Sequence, residues 1–353
     1  MESILCLHRA TLGRPGLAQK LEHHYGDAET VFLEFDARET PLPAVICANI
    51  SASETLRREA AADLQWLLGD SCHLLDQSHP LYPEQLKVFP DAPYLLFLWG
   101  DLHHLAKEQL SIVGSRRPTH HGVSTAVEMA TQLVSAGLTI TSGLAIGVDA
   151  AAHRGAIEAG GATIAVQGCG IDKVYPRSHE GLARRILNSG CLVSEYPTGV
   201  AAHARHFPQR NRIVTGLSRG TLVIEAAIKS GSLISARLAM DQGKEVFAVP
   251  GSIYAAQSEG CHQLIRQGAV LVTSVLDILE ELPDFVINRN RIPARLSKRE
   301  QLVIDVITRG PCHADRIHEE TKLSLDLLLA LLIDLEIRGV VGSGPDGYRV
   351  LGP

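Results

Sequence analysis

The sequence lacks most of what would mark a membrane protein, a secreted protein or a common type of nucleotide enzyme. Its longest uninterrupted apolar run, Leu327 to Ile333, falls far short of the roughly 18–20 residues needed to cross a bilayer. No basic stretch followed by an apolar segment opens the chain, so a secretory leader is not expected. The cysteines, Cys6, Cys47, Cys72, Cys169, Cys191, Cys261 and Cys312, are odd in number and scattered, with no Cys-x-x-Cys pair. That is the pattern of reduced thiols in the cytoplasm rather than of a disulfide framework. A Gly-x-Gly-x-x-Gly turn with an acidic residue about twenty positions on is missing, as are a P-loop Gly-Lys-Ser/Thr and a Gly-x-Ser-x-Gly elbow. A dinucleotide dehydrogenase, an ATPase and an α/β-hydrolase therefore have no support. One metal-like spacing exists, His203 and His206, but no cysteine or carboxylate stands close by to complete a set. Structural or surface roles are expected for both, with no metal and no other cofactor.

Net charge is −6 over 353 residues, which is unpromising for a partner that is itself an anion. The distribution says otherwise. Residues 110–270 hold fifteen lysines and arginines against ten aspartates and glutamates, while the segments on either side are acidic. Attraction of a polyanion depends on the local field, because more distant acidic segments are screened beyond about 8–10 Å at physiological salt.

The chain is long enough for two or three domains. Residues 1–72 read as a module of short helices broken at Gly13, Pro15, Gly16 and Gly26. A proline-rich stretch follows, then a buried strand near Tyr94 to Trp99. From Ser111 short β-branched runs alternate with alanine-rich helical stretches of about ten residues, the signature of a doubly wound parallel sheet covered on both faces. The first domain expected is thus the helical module of residues 1–72, and the second an extended Rossmann-like α/β domain over 73–283. Residues 284–295, with Arg289, Arg291, Arg295 and Pro293, read as a linker. Residues 296–353 fit three helices and a hairpin, the outline of a winged helix. The third of those helices, Ser324 to Arg338, carries Asp326, Asp334 and Glu336 against a single arginine. A helix reading the major groove should present cations or polar donors, so a protein contact or regulatory role is expected instead.

In a parallel sheet, ligands sit beyond the carboxyl ends of the strands, where free N–H groups and the helix dipole favour anions. Four such loops here are rich in small residues. The first is Gly114-Ser115-Arg116-Arg117. The second opens with Ser142-Gly143 and runs to Asp149. The third runs from Gly168 through Tyr175-Pro176 to Arg177. The fourth is Lys229-Ser230-Gly231-Ser232. A fifth segment, Phe207-Pro208-Gln209-Arg210-Asn211-Arg212, places two arginines around an asparagine. They suit successive phosphates and a backbone or base edge, although a solvated turn would also explain the pattern. Together the loops point to a site for several phosphates. Tyr175 and Phe207 are each expected in packing rather than on a base.

The order Gly-Ser-Arg-Arg, Ser-Gly-Leu-Ala-x-Gly-Val-Asp-x-x-x-His, Gly-x-x-x-Asp-x-x-Tyr-Pro, Phe-Pro-x-Arg-Asn-Arg-Ile, Ser-Gly-Ser-Leu-Ile and Val-Phe-Ala-Val-Pro-Gly-Ser resembles the DNA-processing protein A (DprA/Smf) family over roughly residues 78–282. The resemblance implies a cytosolic, non-enzymatic protein. Such a protein binds and protects single-stranded DNA, dimerises, and helps load RecA recombinase during natural transformation. It assigns phosphate contacts to Gly114, Ser115, Arg116, Arg117, Ser142, Gly143, Gly168 and Arg177. Further contacts fall to Phe207, Arg210, Asn211, Arg212, Ser230, Gly231 and Ser232. Dimer contacts are assigned to His262, Ile265 and Leu271, which a simple packed helix and strand would explain as well. Two positions depart from the pattern: Ile146 stands where many relatives have arginine, and Ser178-His179 where many have asparagine.

A competing reading is a nucleotide phosphoribohydrolase on a related fold, with Glu225 of Arg219-Gly220-Thr221-Leu222-Val223-Ile224-Glu225 acting on the ribose. The Pro-Gly-Gly run expected before Gly-Thr is here Leu217-Ser218-Arg219. A Glu225 that caps a neighbouring helix or pairs with an arginine is the plainer alternative.

Overall fold

The computed structural model describes residues 1–14, 16–35, 42–282, 297–337, 340–344 and 347–350. They form two compact units, a larger one of residues 1–134 and 138–285 and a smaller one of residues 135–137 and 286–353. The segment 284–295, read above as a linker, lies outside the described residues.

The larger unit opens with helices α1 (Glu2–Ala10), α2 (Leu17–Tyr25), α3 (Ala28–Glu34), α4 (Ala44–Ser51) and α5 (Ser53–Leu67). Strand β1 (Cys72–Asp76), the short helix α6 (Glu84–Lys87) and strand β2 (Leu95–Gly100) follow. The alternating part then runs β3 (Gln109–Val113), α7 (His120–Ser135), β4 (Thr139–Ser142), α8 (Val148–Glu158), β5 (Thr163–Gln167), α9 (Glu180–Leu187) and β6 (Cys191–Ser194). It continues with α10 (His206–Leu217), β7 (Gly220–Val223), α11 (Ser232–Asp241), β8 (Glu245–Ala248), α12 (Glu259–Arg266), β9 (Val270–Leu271) and α13 (Val275–Glu280).

These strands make one sheet in the order β1-β2-β6-β5-β4-β3-β7-β8-β9. The parallel order expected from the strand–helix alternation holds from β6 to β9, but β1 and β2 extend the sheet antiparallel. The sheet is therefore mixed. Ser111 of β3 pairs with Thr141 of β4 on one side and Thr221 of β7 on the other. Helices α7 and α8 cover one face of the sheet, whereas α10 and α11 pack on the other. The chain thus leaves β3 and β7, which are neighbours, for opposite faces, and a crevice opens between their carboxyl ends.

The N-terminal helices do not stand apart from the sheet. Leu5, Leu7, Leu21 and Val31 share one buried cluster with Leu95, Phe97 and Leu192 of the strands. Each fully buried Leu or Phe contributes about 1.5–3 kcal/mol. Polar locks reinforce the contact. Arg9 Nε donates to Asp63 at 2.7 Å and its Nη2 donates to the Thr198 carbonyl at 2.9 Å. Asp63 also accepts from the Thr198 N–H and hydroxyl, and His8 Nε2 donates to the Glu195 carbonyl at 2.7 Å.

The smaller unit comprises α14 (Lys298–Ile307), α15 (Ala314–Thr321), α16 (Leu325–Ile337) and the antiparallel pair β10 (Val341–Gly344) and β11 (Gly347–Val350). Its core gathers Val303, Ile307, Ile317, Leu328, Leu332, Leu335 and Val341. A reciprocal Ser297/Glu300 capping box starts α14, satisfying two of the free N–H groups at the helix end. Three helices and a hairpin give the winged-helix outline. Arg338, the one arginine read into its third helix, is outside the described residues.

Candidate functional site

The crevice between β3 and β7 is a cleft of about 480 Å³. Gly114 to Arg117 after β3 form one wall, and Ala227 and Lys229 to Ser232 after β7 form the other. Gly143 and Ala145 come from the loop after β4, Asp149 from the first turn of α8, and Phe207, Arg210 and Asn211 from α10. Three of the four small-residue loops therefore meet at one place. The third does not line this cleft. Gly168 touches it indirectly, since a Cβ there would sit 2.9 Å from the Phe207 ring. Arg177 lies in a neighbouring cleft.

The glycines here serve packing as well as any ligand. A Cβ at Gly114 would meet Val148 at 2.7 Å, and one at Gly143 would meet the Arg210 guanidinium at 2.5 Å. Both residues make room for protein rather than only for a phosphate. Ser142 is a structural strand end. Its hydroxyl is buried and donates to the Ile112 carbonyl at 2.6 Å, so it does not face the cleft. Ser115 Oγ accepts from the Arg117 N–H and fixes the first turn. Ser230 and Ser232 share a hydroxyl contact of 2.6 Å where α11 begins. Its first N–H groups and dipole thus point at the opening.

The loop after β4 is held from several directions. Leu144 adopts φ +55°, a left-handed conformation that a residue with a Cβ adopts only when its surroundings impose it. Asp149 accepts from the N–H groups of Gly143 at 3.1 Å and Ala145 at 3.4 Å. His179 Nδ1 donates to the Leu144 carbonyl, and Val148 N–H donates to the Ser115 carbonyl. Arg210 donates to the carbonyls of Gly143, at 2.6 Å, and Val166. Burial pushes the Asp149 carboxyl up, and the Arg210 charge opposes that shift.

The fifth segment is the clearest correction. It is not a turn but the first half of α10, whose proline falls in the opening turn, where a missing N–H costs nothing. Residues two apart on a helix point in different directions, so Arg210 and Arg212 cannot serve one groove. Arg210 is 3% exposed and works as a strut beneath the Gly143 loop. Arg212 is also buried, pairs with Glu195 at 2.6 Å and reaches Asp91 at 3.5 Å, away from the cleft. Asn211 alone of the three keeps a half-exposed side chain at the cleft.

The cations that face solvent in the cleft are Arg116, Arg117 and Lys229. Of these, sequence reasoning put Lys229 in a loop without selecting it as a contact. None of the three is in an ion pair among the described residues, although the Arg116 charge acts on the buried Asp149 carboxyl of the same cleft. The Arg116 guanidinium stands 5.5 Å from the Phe207 ring centroid, and that ring in turn lies 5.3 Å from the ring of Tyr175, which is 50% exposed rather than packed away. Glu225 does not line the cleft. Its carboxylate accepts from the N–H and hydroxyl of Thr119 at 2.9 and 2.6 Å, capping the approach to α7. The plainer reading of that residue is the one the geometry takes. His203 and His206 stand near each other, with ring centroids 5.6 Å apart, but no group of three metal-ligating side chains occurs among the described residues.

A Rossmann-like sheet whose switch-point cleft is edged by exposed cations, small-residue turns and an aromatic ring defines an α/β protein with a cationic cleft. The comparisons make the class specific. The model of the family described as DNA recombination-mediator protein A matches residues 73–283, and that of the DprA winged helix domain matches residues 288–347. The chain is 38% identical to Protein Smf of Escherichia coli over 346 residues, covering 92% of this chain and 91% of that one. Among solved structures, DNA processing protein A from Streptococcus pneumoniae aligns with a TM-score of 0.67 at 36% identity, covering 80% of this chain and 98% of that one. The Helicobacter pylori protein, whose structure is described by its single-stranded DNA binding mode, aligns with a TM-score of 0.56 at 29% identity, covering 61% and 97%. The chain belongs to the DNA recombination-mediator protein A (DprA/Smf) family.

Proposed function

We propose that the switch-point cleft binds single-stranded DNA and that the protein acts without catalysis, holding and protecting the strand and helping to load RecA recombinase onto it in recombination and natural transformation. The observation that carries this reading is the set Arg116, Arg117 and Lys229, three solvent-facing cations with no ion pair among the described residues, around a cleft with Phe207 at its side. Phosphates would meet these cations and the N–H groups of the turns at Gly114–Ser115 and Ser230–Ser232, with Asn211 beside them. Gly143, Gly168, Arg210 and Arg212 would shape the site from behind, and Arg177 would contact the strand further along. The H. pylori relative, studied for its single-strand binding, supports the choice of ligand.

A homodimer would use the far edge of the sheet. Strand β9 is the terminal strand, Leu271 on it is exposed, and Ile265 is half-buried against the core. His262 contacts the Gly251 carbonyl through Nε2 at 3.0 Å, which places its ring on the α12 side of the same edge. The protein would work in the cytoplasm, in keeping with its free cysteines. No helix among the described residues is long and apolar enough to cross a membrane.

Arg116→Ala is expected to weaken binding of all single-stranded sequences about tenfold and to flatten the slope of log affinity against log salt by about 0.7. A gel-shift titration of single- against double-stranded oligonucleotides at several salt concentrations measures both. Release of ribose phosphate from a nucleoside monophosphate by the same sample, without strand binding, would replace this reading with the phosphoribohydrolase one.

A further inference from the structure

On the far side of Phe207 lies a second cleft, also of about 480 Å³, between the loop after β5, helix α9 and the antiparallel strand β2. Trp99, Lys173, Tyr175, Arg177, Glu180 and Arg184 are among the residues that line it. One aromatic pair separates the two clefts, because Phe207 borders the first and Tyr175 the second, with their rings 5.3 Å apart and inclined at 39°. Arg116, on the first wall, reaches over the same Phe207 ring. Cation, ring and ring therefore lead from one cleft to the next.

The chemistry of the second cleft matches that of the first. Arg177 and Arg184 are exposed and have no carboxylate partner among the described residues. Lys173 Nζ donates to the Gly199 carbonyl, and Asp172 accepts from the Gly199 N–H at 2.9 Å. Asp172 and Glu180 are the lining carboxylates that oppose an anion there, against the three cations Lys173, Arg177 and Arg184. A compact anion needs only one cleft. A chain that repeats a phosphate and a flat base fits two cationic clefts joined by the half-buried ring of Phe207 and the exposed ring of Tyr175.

We propose that a single strand seated in the first cleft continues across Tyr175 into the second, where its phosphates meet Arg184, Arg177 and Lys173 and a base stacks on Tyr175. The extension rests on the reading of the first cleft as a single-strand site. It predicts a binding site longer than the switch-point cleft alone would give, with the added length contributed by residues 173–184.

The test compares oligothymidylates of about 4 and about 12 nucleotides, lengths that span the usual range for one strand-binding fold. Wild type, Arg184→Glu, Tyr175→Ala and Arg116→Ala are titrated, and their unfolding temperatures confirm that each is folded. For wild type the longer oligonucleotide should bind more tightly. Arg184→Glu and Tyr175→Ala should each lose about tenfold on the longer one, the size of one stacking or phosphate contact, and nothing on the shorter. Arg116→Ala should lose on both. Wild-type affinity for the longer strand in both second-cleft variants, or equal losses at both lengths, would overturn the extension while leaving the first cleft intact. Failure of wild-type protein to bind either oligonucleotide would instead remove the single-strand reading itself.

Discussion

Arg210→Met should cost about 2–6 kcal/mol of folding stability, since two buried carbonyls lose their donor at about 1–3 kcal/mol each, and should also abolish tight strand binding. Arg210 is nine-tenths and more buried, donates to two carbonyls and faces Asp149. Methionine fills the space but leaves those carbonyls without a donor and Asp149 without a counter-charge. The carboxyl of Asp149 is already pushed up by burial, and loss of Arg210 pushes it further. The Gly143 loop, with Leu144 in its left-handed conformation, then loses the strut beneath it. Urea unfolding at neutral pH measures the stability, and Arg210→Met/Asp149→Asn should regain part of it. A cost under about 1 kcal/mol for the single change would mean that Arg210 is not a strut. The binding assay separates this role from a direct contact: a strut lowers affinity with the salt slope kept, whereas a phosphate contact takes slope away with it.

The second large effect is a loss of stability in acid that traces to His153. Its Nδ1 lies 2.7 Å from the Thr163 hydroxyl, which itself donates to the Ile140 carbonyl at 2.7 Å. Nδ1 therefore carries the proton, and Nε2 is buried without a partner. Burial, with the nearby Arg210 charge, lowers the pKa from the ordinary value of 6.5 to about 3. Below pH 6.5 the unfolded chain takes up a proton that the folded protein refuses. The stabilisation is complete above 6.5 and is lost as pH falls toward 3, reaching roughly 5 kcal/mol at the end of that window. His153→Leu, which removes the titration while Thr163 keeps its donor role, should unfold less steeply in acid by up to about 1.4 kcal/mol per pH unit. Denaturant curves at pH 7, 5.5 and 4.5 check it, and parallel losses in both proteins would count against His153.

Much of this architecture can be read from the sequence, and the misreadings have physical causes. Runs such as Thr163 to Val166, alternating with alanine-rich stretches, give away a parallel sheet because such strands are apolar on both faces. The antiparallel start was harder to see. In Cys72–Asp76 only Leu75 is fully buried, so an edge strand hides in what looks like a loop. The turns at 114–117, 143–149 and 229–232 were legible as a group because strand-to-helix connections need small residues. Their convergence follows from strand order, which no local pattern encodes. Arginine type is likewise visible and arginine burial is not. The close spacing of Arg210 and Arg212 suits successive phosphates only on an extended or turning chain, and once the segment is helical its two arginines must diverge.

The stretch from Glu195 to Thr198 ties together more of the molecule than its length suggests. Glu195 holds Arg212 of α10 through its carboxylate and His8 of α1 through its carbonyl. Three residues on, Thr198 is fixed by Asp63 of α5 and Arg9 of α1. The helix that shapes the cleft and the helices at the start of the chain are thus moored to the same short span. A fragment cut at the family boundary, residue 73, would keep the ligand-facing residues and the Arg212–Glu195 pair but lose His8, Arg9 and Asp63. It would also expose Leu95, Phe97 and Leu192 to water. The segment that the family model matches is therefore smaller than the compact unit to which it belongs in this chain.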